Sequence, residues 1–399
     1  MRAMTGQPRV IIASRLFAPE VGAAAFRLNA LVEGLRDSGC QVSVLTTTLP
    51  AGMGELAERS RVSISRFPVL RDRAGYVRGY LQYLSFDVPL FFRLLFTRGA
   101  AVVAEPPPTT GAVVAITSWL LRRPFAYYAA DVWADAVAAT SAPRLVVRLM
   151  KVVEGFALRR AAVVLAVSED VAERTRALGA TRVEVVGNGI DTDIFSLQGP
   201  RVDAAQPTFV YTGTMSEWQG ADVFIRAFPA VLARYPEAEL HFFGQGSHER
   251  SLRTLAEQTA PDHIHFHGVI APAETARWLR AATAALVSIV PGKGYDFAKP
   301  TKVYAAAACG APVVFAGTGA GAQLVADEGL GASVEFDATS VAEAMLGSVT
   351  DQQDGTRIEL GPTRSRWANE HASLKARGSA AAAAVVRVAA PGQALDSQQ

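Results

Sequence analysis

The sequence predicts an α/β protein of two doubly wound domains in tandem, each a parallel sheet with helices on both faces. Three observations predict it. Short β-branched apolar runs alternate with longer segments of helical spacing, the arrangement that buries a parallel sheet between helix layers. A break rich in Gly, Pro, Asp and Gln at residues 197–207 interrupts this alternation, which then restarts. The 399 residues suffice for two domains at roughly 100–200 residues each. The expected division is residues 1–196, a linker at 197–207, a second domain at 208–390 and a polar, disordered tail at 391–399.

In the first domain, strands are expected at residues 10–14, 42–46, 101–104, 162–167 and 183–186, and the apolar run 125–130 leads to Asp131. In the second, strands are expected at 209–213, 240–244, 264–268, 285–290, 313–316 and 332–336. Pro236 ends a helix at 221–235, and Pro300 opens one at 301–308. The alanine run 380–384 belongs to a final helix from about residue 364, expected to pack back on the first domain. Ligands of such sheets bind outside the carboxyl ends of the strands, so a cleft between the domains is the expected site.

Composition excludes several classes. Half of the residues are apolar and 19% are charged, against a usual ~25%, so the chain is not disordered. A net charge of +2 is no footprint for nucleic acid. Cys40 and Cys309 make neither a disulfide framework nor a cysteine-rich zinc site, and fit a reducing cytoplasm. No uninterrupted apolar run reaches the ~18 residues of a membrane span, and residues 1–8 lack the apolar core of a signal peptide. A cytoplasmic protein is expected, with peripheral contact on the inner face of the membrane. Residues 1–190 carry 23 Lys and Arg against 15 Asp and Glu, a net +8, while the rest carry 16 against 22, a net −6. This asymmetry fits either a surface that meets anionic lipid or an acidic substrate, or simply solvated helix faces. Phe91, Phe92, Leu94, Leu95 and Phe96 beside Arg93 and Arg98 fit a lipid-docking face or a core helix with snorkelling arginines.

Lysine placement carries the strongest chemical signal. Only five lysines occur among 39 basic residues, and three of them, Lys293, Lys299 and Lys302, fall within one Gly- and Pro-containing loop and the helix start after it. Lysine is a point charge for phosphate, and Lys302 falls in a first helical turn beside unpaired N–H groups. Glycines also end three successive strands, in Tyr211-Thr212-Gly213-Thr214-Met215, Phe243-Gly244-Gln245-Gly246 and Phe266-His267-Gly268-Val269-Ile270. Together they suggest a shelf where a nucleotide approaches the backbone, or ordinary βα turns. In the first domain, Gly22 and Arg27 open a helix after a small-residue loop, suited to an anion or to a tight turn. Asp131 either holds a hydroxyl-rich substrate or caps a helix. His263, His265 and His267 alternate on one strand face. Asp262 points the other way and no thiolate is near, so no metal is expected. The first half holds no histidine, which excludes a histidine base there.

The chain resembles the retaining GT-B glycosyltransferases of family 4, in a branch of bacterial surface-polysaccharide and natural-product assembly, over residues 9–346. The resemblance rests on residues 17–24 with Arg27, Asp131-Val132-Trp133, Ser168-Glu169 and the junction Gly187-Asn188-Gly189-Ile190-Asp191. It rests further on Pro300-Thr301-Lys302-Val303-Tyr304 and the segment 308–314. It implies transfer of a hexosyl group from a nucleotide sugar to a small-molecule or lipid-linked acceptor, with retention and without a metal cofactor. The family usually carries two glutamates eight positions apart; here Ala305 and Phe297 stand at those places, with Asp296 the nearest acid. Thr214 and Gln219 stand where many members place Arg and Lys. The expected roles are therefore these. Lys302 and Lys299 hold diphosphate; Gly213, Thr214, Gly244, Gly246, Val269 and Tyr304 line the nucleotide. Gly22 and Arg27 approach sugar or diphosphate, Asp131 holds hydroxyls, and Asp296 supplies the remaining acid. A nucleotide-sugar epimerase and a catalytically altered pseudo-glycosyltransferase share the same expected fold.

Overall fold

The computed structural model describes residues 7–390 except 21, 51, 56, 73, 74, 76, 78 and 139–142, so the expected tail at 391–399 lies outside the described residues. The described residues form two compact units, one of residues up to Asn188 plus those from Leu374, the other Gly189–Ser373.

The first unit contains β1 (Arg9–Ala13), α1 (Ala23–Asp37), β2 (Gln41–Thr47), β3 (Val62–Phe67), α2 (Tyr80–Phe96), β4 (Ala101–Ala104) and α3 (Pro108–Leu120). It continues with β5 (Phe125–Ala129), α4 (Trp133–Ala138), α5 (Arg144–Arg160), β6 (Val163–Ala166), α6 (Glu169–Ala177) and β7 (Val183–Val185). Its parallel sheet runs β3-β2-β1-β4-β5-β6-β7. The central strands β1, β4, β5 and β6 are buried almost throughout, as continuous apolar runs require. Phe86, Leu90 and Leu94 of α2, Val114 of α3 and Leu158 of α5 cover one sheet face. The other face packs on Leu28, Leu31, Val32 and Leu35 of α1.

The second unit contains β8 (Thr208–Thr212), α7 (Asp222–Leu232), β9 (Glu239–Phe243), α8 (Glu249–Thr259), β10 (Ile264–Phe266), α9 (Pro272–Ala281) and β11 (Ala284–Ser288). It continues with α10 (Thr301–Ala308), β12 (Val313–Ala316), α11 (Ala320–Asp327), β13 (Gly331–Val334), α12 (Ala338–Gln353) and α13 (Thr356–His371). Its parallel sheet runs β10-β9-β8-β11-β12-β13. Phe209, Phe224, Phe228 and Phe242 fill one face, and Val303–Ala308 of α10 lie in the core of the other. The chain entering the segment read as a linker is strapped to this unit. The Arg280 guanidinium donates to the carbonyls of Ile194, Ser196 and Pro200 at 2.7–2.9 Å.

The chain then returns to the first unit as α14 (Leu374–Ala389). One helix was expected from about residue 364; there are two, parted at Ala372–Ser373, where Ile190 pairs with Ser373. α14 lies against α1 with Gly378 at the crossing. A Cβ there would stand 2.4 Å from the Ala30 carbonyl oxygen, so only glycine lets the two backbones meet.

Candidate functional site

In the second unit, the loops after β8, β9 and β10 are knitted together. Gly213 N–H donates to the Phe243 carbonyl at 2.8 Å, Gly244 N–H to that of Gly268 at 2.7 Å, and Met215 N–H to that of Gln245 at 3.0 Å. Gly244 has φ +131, and a Cβ on it would lie 1.9 Å from the Gly213 oxygen; one on Gly246 would lie 2.0 Å from the Met215 oxygen. These two glycines therefore let loop meet loop. Gly213 and Thr214 form the exposed lip, and Val269 is exposed beside them in chain order after β10. Tyr211 braces the lip from below, its hydroxyl donating to the Thr214 carbonyl at 2.8 Å. Buried Gln219 accepts from Ser216 and Tyr211.

Lys302 reaches under this lip from the second residue of α10. Its Nζ lies 3.8 Å from the centroid of the Tyr211 ring and about as far from where a Gly213 side chain would begin. The ammonium is out of contact with solvent and has no hydrogen-bond acceptor among the described residues. Burial pushes its pKa down to about 7. The aromatic face offsets only part of the cost of desolvating a cation. A buried cation beside an exposed glycine-containing lip is the electrostatic arrangement that an anionic group would satisfy.

The other lysines of the cluster are placed differently. Lys293 and Lys299 are exposed. Asp296 closes its own loop, its carboxylate accepting from Gly292 N–H at 3.2 Å and its carbonyl from Ala320 N–H at 2.8 Å. Tyr295 stacks on Trp218, with ring centroids 4.2 Å apart. Tyr304 is buried in the core with its ring 6.0 Å from Trp367, where packing accounts for it. Ala305 is likewise buried.

In the first unit, four charged side chains gather at the carboxyl ends of β1, β4 and β5. Arg27 was expected to face a ligand. Instead it is 4% exposed, its Nη2 is 3.3 Å from the Glu105 carboxylate, and its guanidinium lies over Tyr128. A buried guanidinium needs a partner, and Glu105, directly after β4, supplies it. Glu105 also accepts from Ser14 at 3.3 Å. Burial pushes its carboxyl up, with Arg27 and Arg15 pulling it back. Gly22 opens α1 in extended backbone, close to Leu16.

Asp131 is exposed at the rim. Surrounding protein atoms push its carboxyl above the usual range, and Arg27 pulls it down. The capping alternative for Asp131 falls. Glu154 of α5 takes the amides of Trp133 and Ala134 at 3.0 and 2.7 Å, and burial pushes that carboxyl up to about 7. Arg15 lies over Tyr83 and Trp133 at 5.0 and 5.8 Å. Sequence reasoning missed Glu105, although a strand-end acid after an apolar run is the same signal that singled out Asp131.

A second cluster was also missed. Glu239 and His241 on β9 lie beside His265 on β10, which is paired in register with His241. His241 is 5% exposed, and burial pushes its imidazole down to about 4. The carboxylate that joins the histidines comes not from Asp262 but from the neighbouring strand, which only the sheet order reveals.

The fold defines the class. A sucrose-phosphate synthase from Thermosynechococcus elongatus superposes with a TM-score of 0.74 at 17% identity, over 96% of this chain and 100% of that one. Anabaena Alr3699/HepE, solved in complex with UDP-glucose, superposes with a TM-score of 0.68 at 16% identity, over 95% and 100%. This is the two-domain, Rossmann-like GT-B fold. The model described as "Glycosyl transferase 4-like domain" matches residues 22–189, and "Glycosyl transferases group 1" matches 206–351. The chain belongs to the GT-B glycosyltransferases of family 4. The phosphatidyl-myo-inositol mannosyltransferase of Mycolicibacterium smegmatis is 31% identical over 191 residues, 46% of this chain and 47% of that protein. The matched part thus spans about half the length of this curated relative.

Proposed function

We propose that the protein transfers a hexosyl group from a nucleoside-diphosphate sugar to an acceptor with retention of configuration. The observation that carries this reading is the buried, unpaired Lys302 ammonium beneath the Gly213–Thr214 lip. As the glycosyl bond breaks, charge develops on the departing diphosphate, and a preorganised cation in a low-dielectric site stabilises it. The exposed Lys299 adds to that field. Retention needs no dedicated protein base, since the leaving diphosphate can assist the incoming hydroxyl. Asp131, held near Arg27 at the rim of the first unit, would accept hydrogen bonds from sugar or acceptor hydroxyls. Titration calorimetry against UDP, GDP, ADP, CDP and dTDP tests the reading. One base is expected to bind with 1:1 stoichiometry, and failure of all five to bind overturns it.

The acceptor we infer is lipid-linked, reached by peripheral contact with an anionic membrane. No helix of the described residues is long and apolar enough to cross a membrane. The support is the outer face of the α2–α3–α5 layer. Leu81, Leu84, Val88, Phe92 and Phe96 are exposed at helical spacing on α2, with Ile116 and Trp119 on α3 and Leu145, Leu149 and Val152 on α5. Leu94 is buried, and Arg93 bonds to Ser65, so they are not part of that face. Exposed Arg148, Lys151 and Arg160 stand among the apolar residues, the composition of an interfacial surface. The protein is expected to sediment with anionic vesicles at low salt and to be released at high salt. Equal sedimentation with and without vesicles at low salt would end the idea.

A further inference from the structure

We propose that Glu239, His241 and His265 bind one divalent transition-metal ion of the zinc type, fastening edge strand β10 to β9. Each offers one ligand atom, and the three atoms lie within 4.8 Å of one another. Glu239 and His241 are two apart on β9, so both project to the same side of the sheet. His265 enters from the next strand, opposite His241 in the parallel register. His241 is the fixed member. Its ring is nearly buried and packs 4.6 Å from the Trp278 ring of α9. Glu239 and His265 are partly exposed and can close on an ion. Two imidazoles and a carboxylate, completed by water, form a donor set suited to zinc.

Surrounding bonds orient the cluster. His241 Nε2 is 3.0 Å from the Glu239 carboxylate, and its Nδ1 is 2.9 Å from His267 Nε2. Without an ion, the Nε2 proton is donated to Glu239 and Nδ1 accepts from His267. With an ion on Nε2, the His241 proton moves to Nδ1 and is donated to His267, whose own proton moves to its Nδ1. Both rings stay neutral throughout. Such an outer partner fixes ring orientation at metal sites. The cluster lies at the amino half of β9, whereas the Gly213–Thr214 lip and Lys302 lie at the carboxyl ends of the strands. The ion therefore has a structural part, separate from the proposed transfer.

The test uses untagged, chelator-stripped protein titrated with zinc chloride, read by calorimetry and by melting temperature. One ion per chain is expected, with a rise in melting temperature. Glu239→Gln and His265→Ala, both at partly exposed positions, are expected to fold and to bind at least about tenfold more weakly. His371→Ala, outside the cluster, should bind as the unchanged protein does. No 1:1 binding, unchanged binding in both cluster variants, or an equal loss in His371→Ala would overturn the proposal.

Discussion

Lys302→Ala is expected to weaken nucleoside-diphosphate binding by at least about tenfold, because a charge-assisted hydrogen bond contributes roughly 1.5–3 kcal/mol. Lys302 is a sharp choice since its ammonium already stands desolvated with no hydrogen-bond acceptor among the described residues, so the anion meets a prepaid cost. The pH dependence has a definite sign. Binding needs the protonated amine, and in the free protein the pKa is pushed down to about 7. Above that pH, binding must take up a proton, and affinity falls by up to about tenfold per pH unit. The fall belongs to the alkaline side, where the nucleotide phosphates are already ionised. Calorimetry across that range, on the unchanged protein and on Lys302→Ala, reads both effects. Equal affinity of the two proteins, or parallel pH profiles, removes Lys302 from the site.

Ala305→Glu is expected to destabilise the second unit. Ala305 lies in the buried run Val303–Ala308 of α10, 6% exposed. A glutamate there would overpack the core or bury a carboxyl without partners, at roughly 1–3 kcal/mol. At ~2–4 °C per kcal/mol for a unit of this size, the melting temperature should fall by several degrees. An unchanged melting temperature with at least tenfold tighter nucleotide-sugar binding would instead mean that the helix admits a carboxylate that contacts the donor.

Much of the fold was legible because central parallel strands are written as apolar runs. The expected strands at 10–14, 42–46 and 101–104 lie within a residue of β1, β2 and β4. β3 was missed because it is an edge strand, Val62–Phe67, whose burial alternates and whose polar residues break the run. In the candidate site, a scarce residue type drew the eye to Lys302, whose burial beneath the lip only the fold reveals. The two clusters were illegible because their members come from different elements. Neither Glu105 after β4 with Arg27 of α1 nor Glu239 of β9 with His265 of β10 has any local spacing to betray it; only the fold brings them together.

The return of the chain as α14 has a consequence for biogenesis. Residues 1–188 leave the ribosome first, yet the α14 side chains that share the core of Leu28, Leu31 and Leu35 are encoded after the whole of the second unit. The apolar surface awaiting Ala381, Ala382 and Val385 stays open throughout synthesis of the intervening 189–373. The unit that begins to fold first is thus the last to be finished, and its completion reports that translation has passed α14.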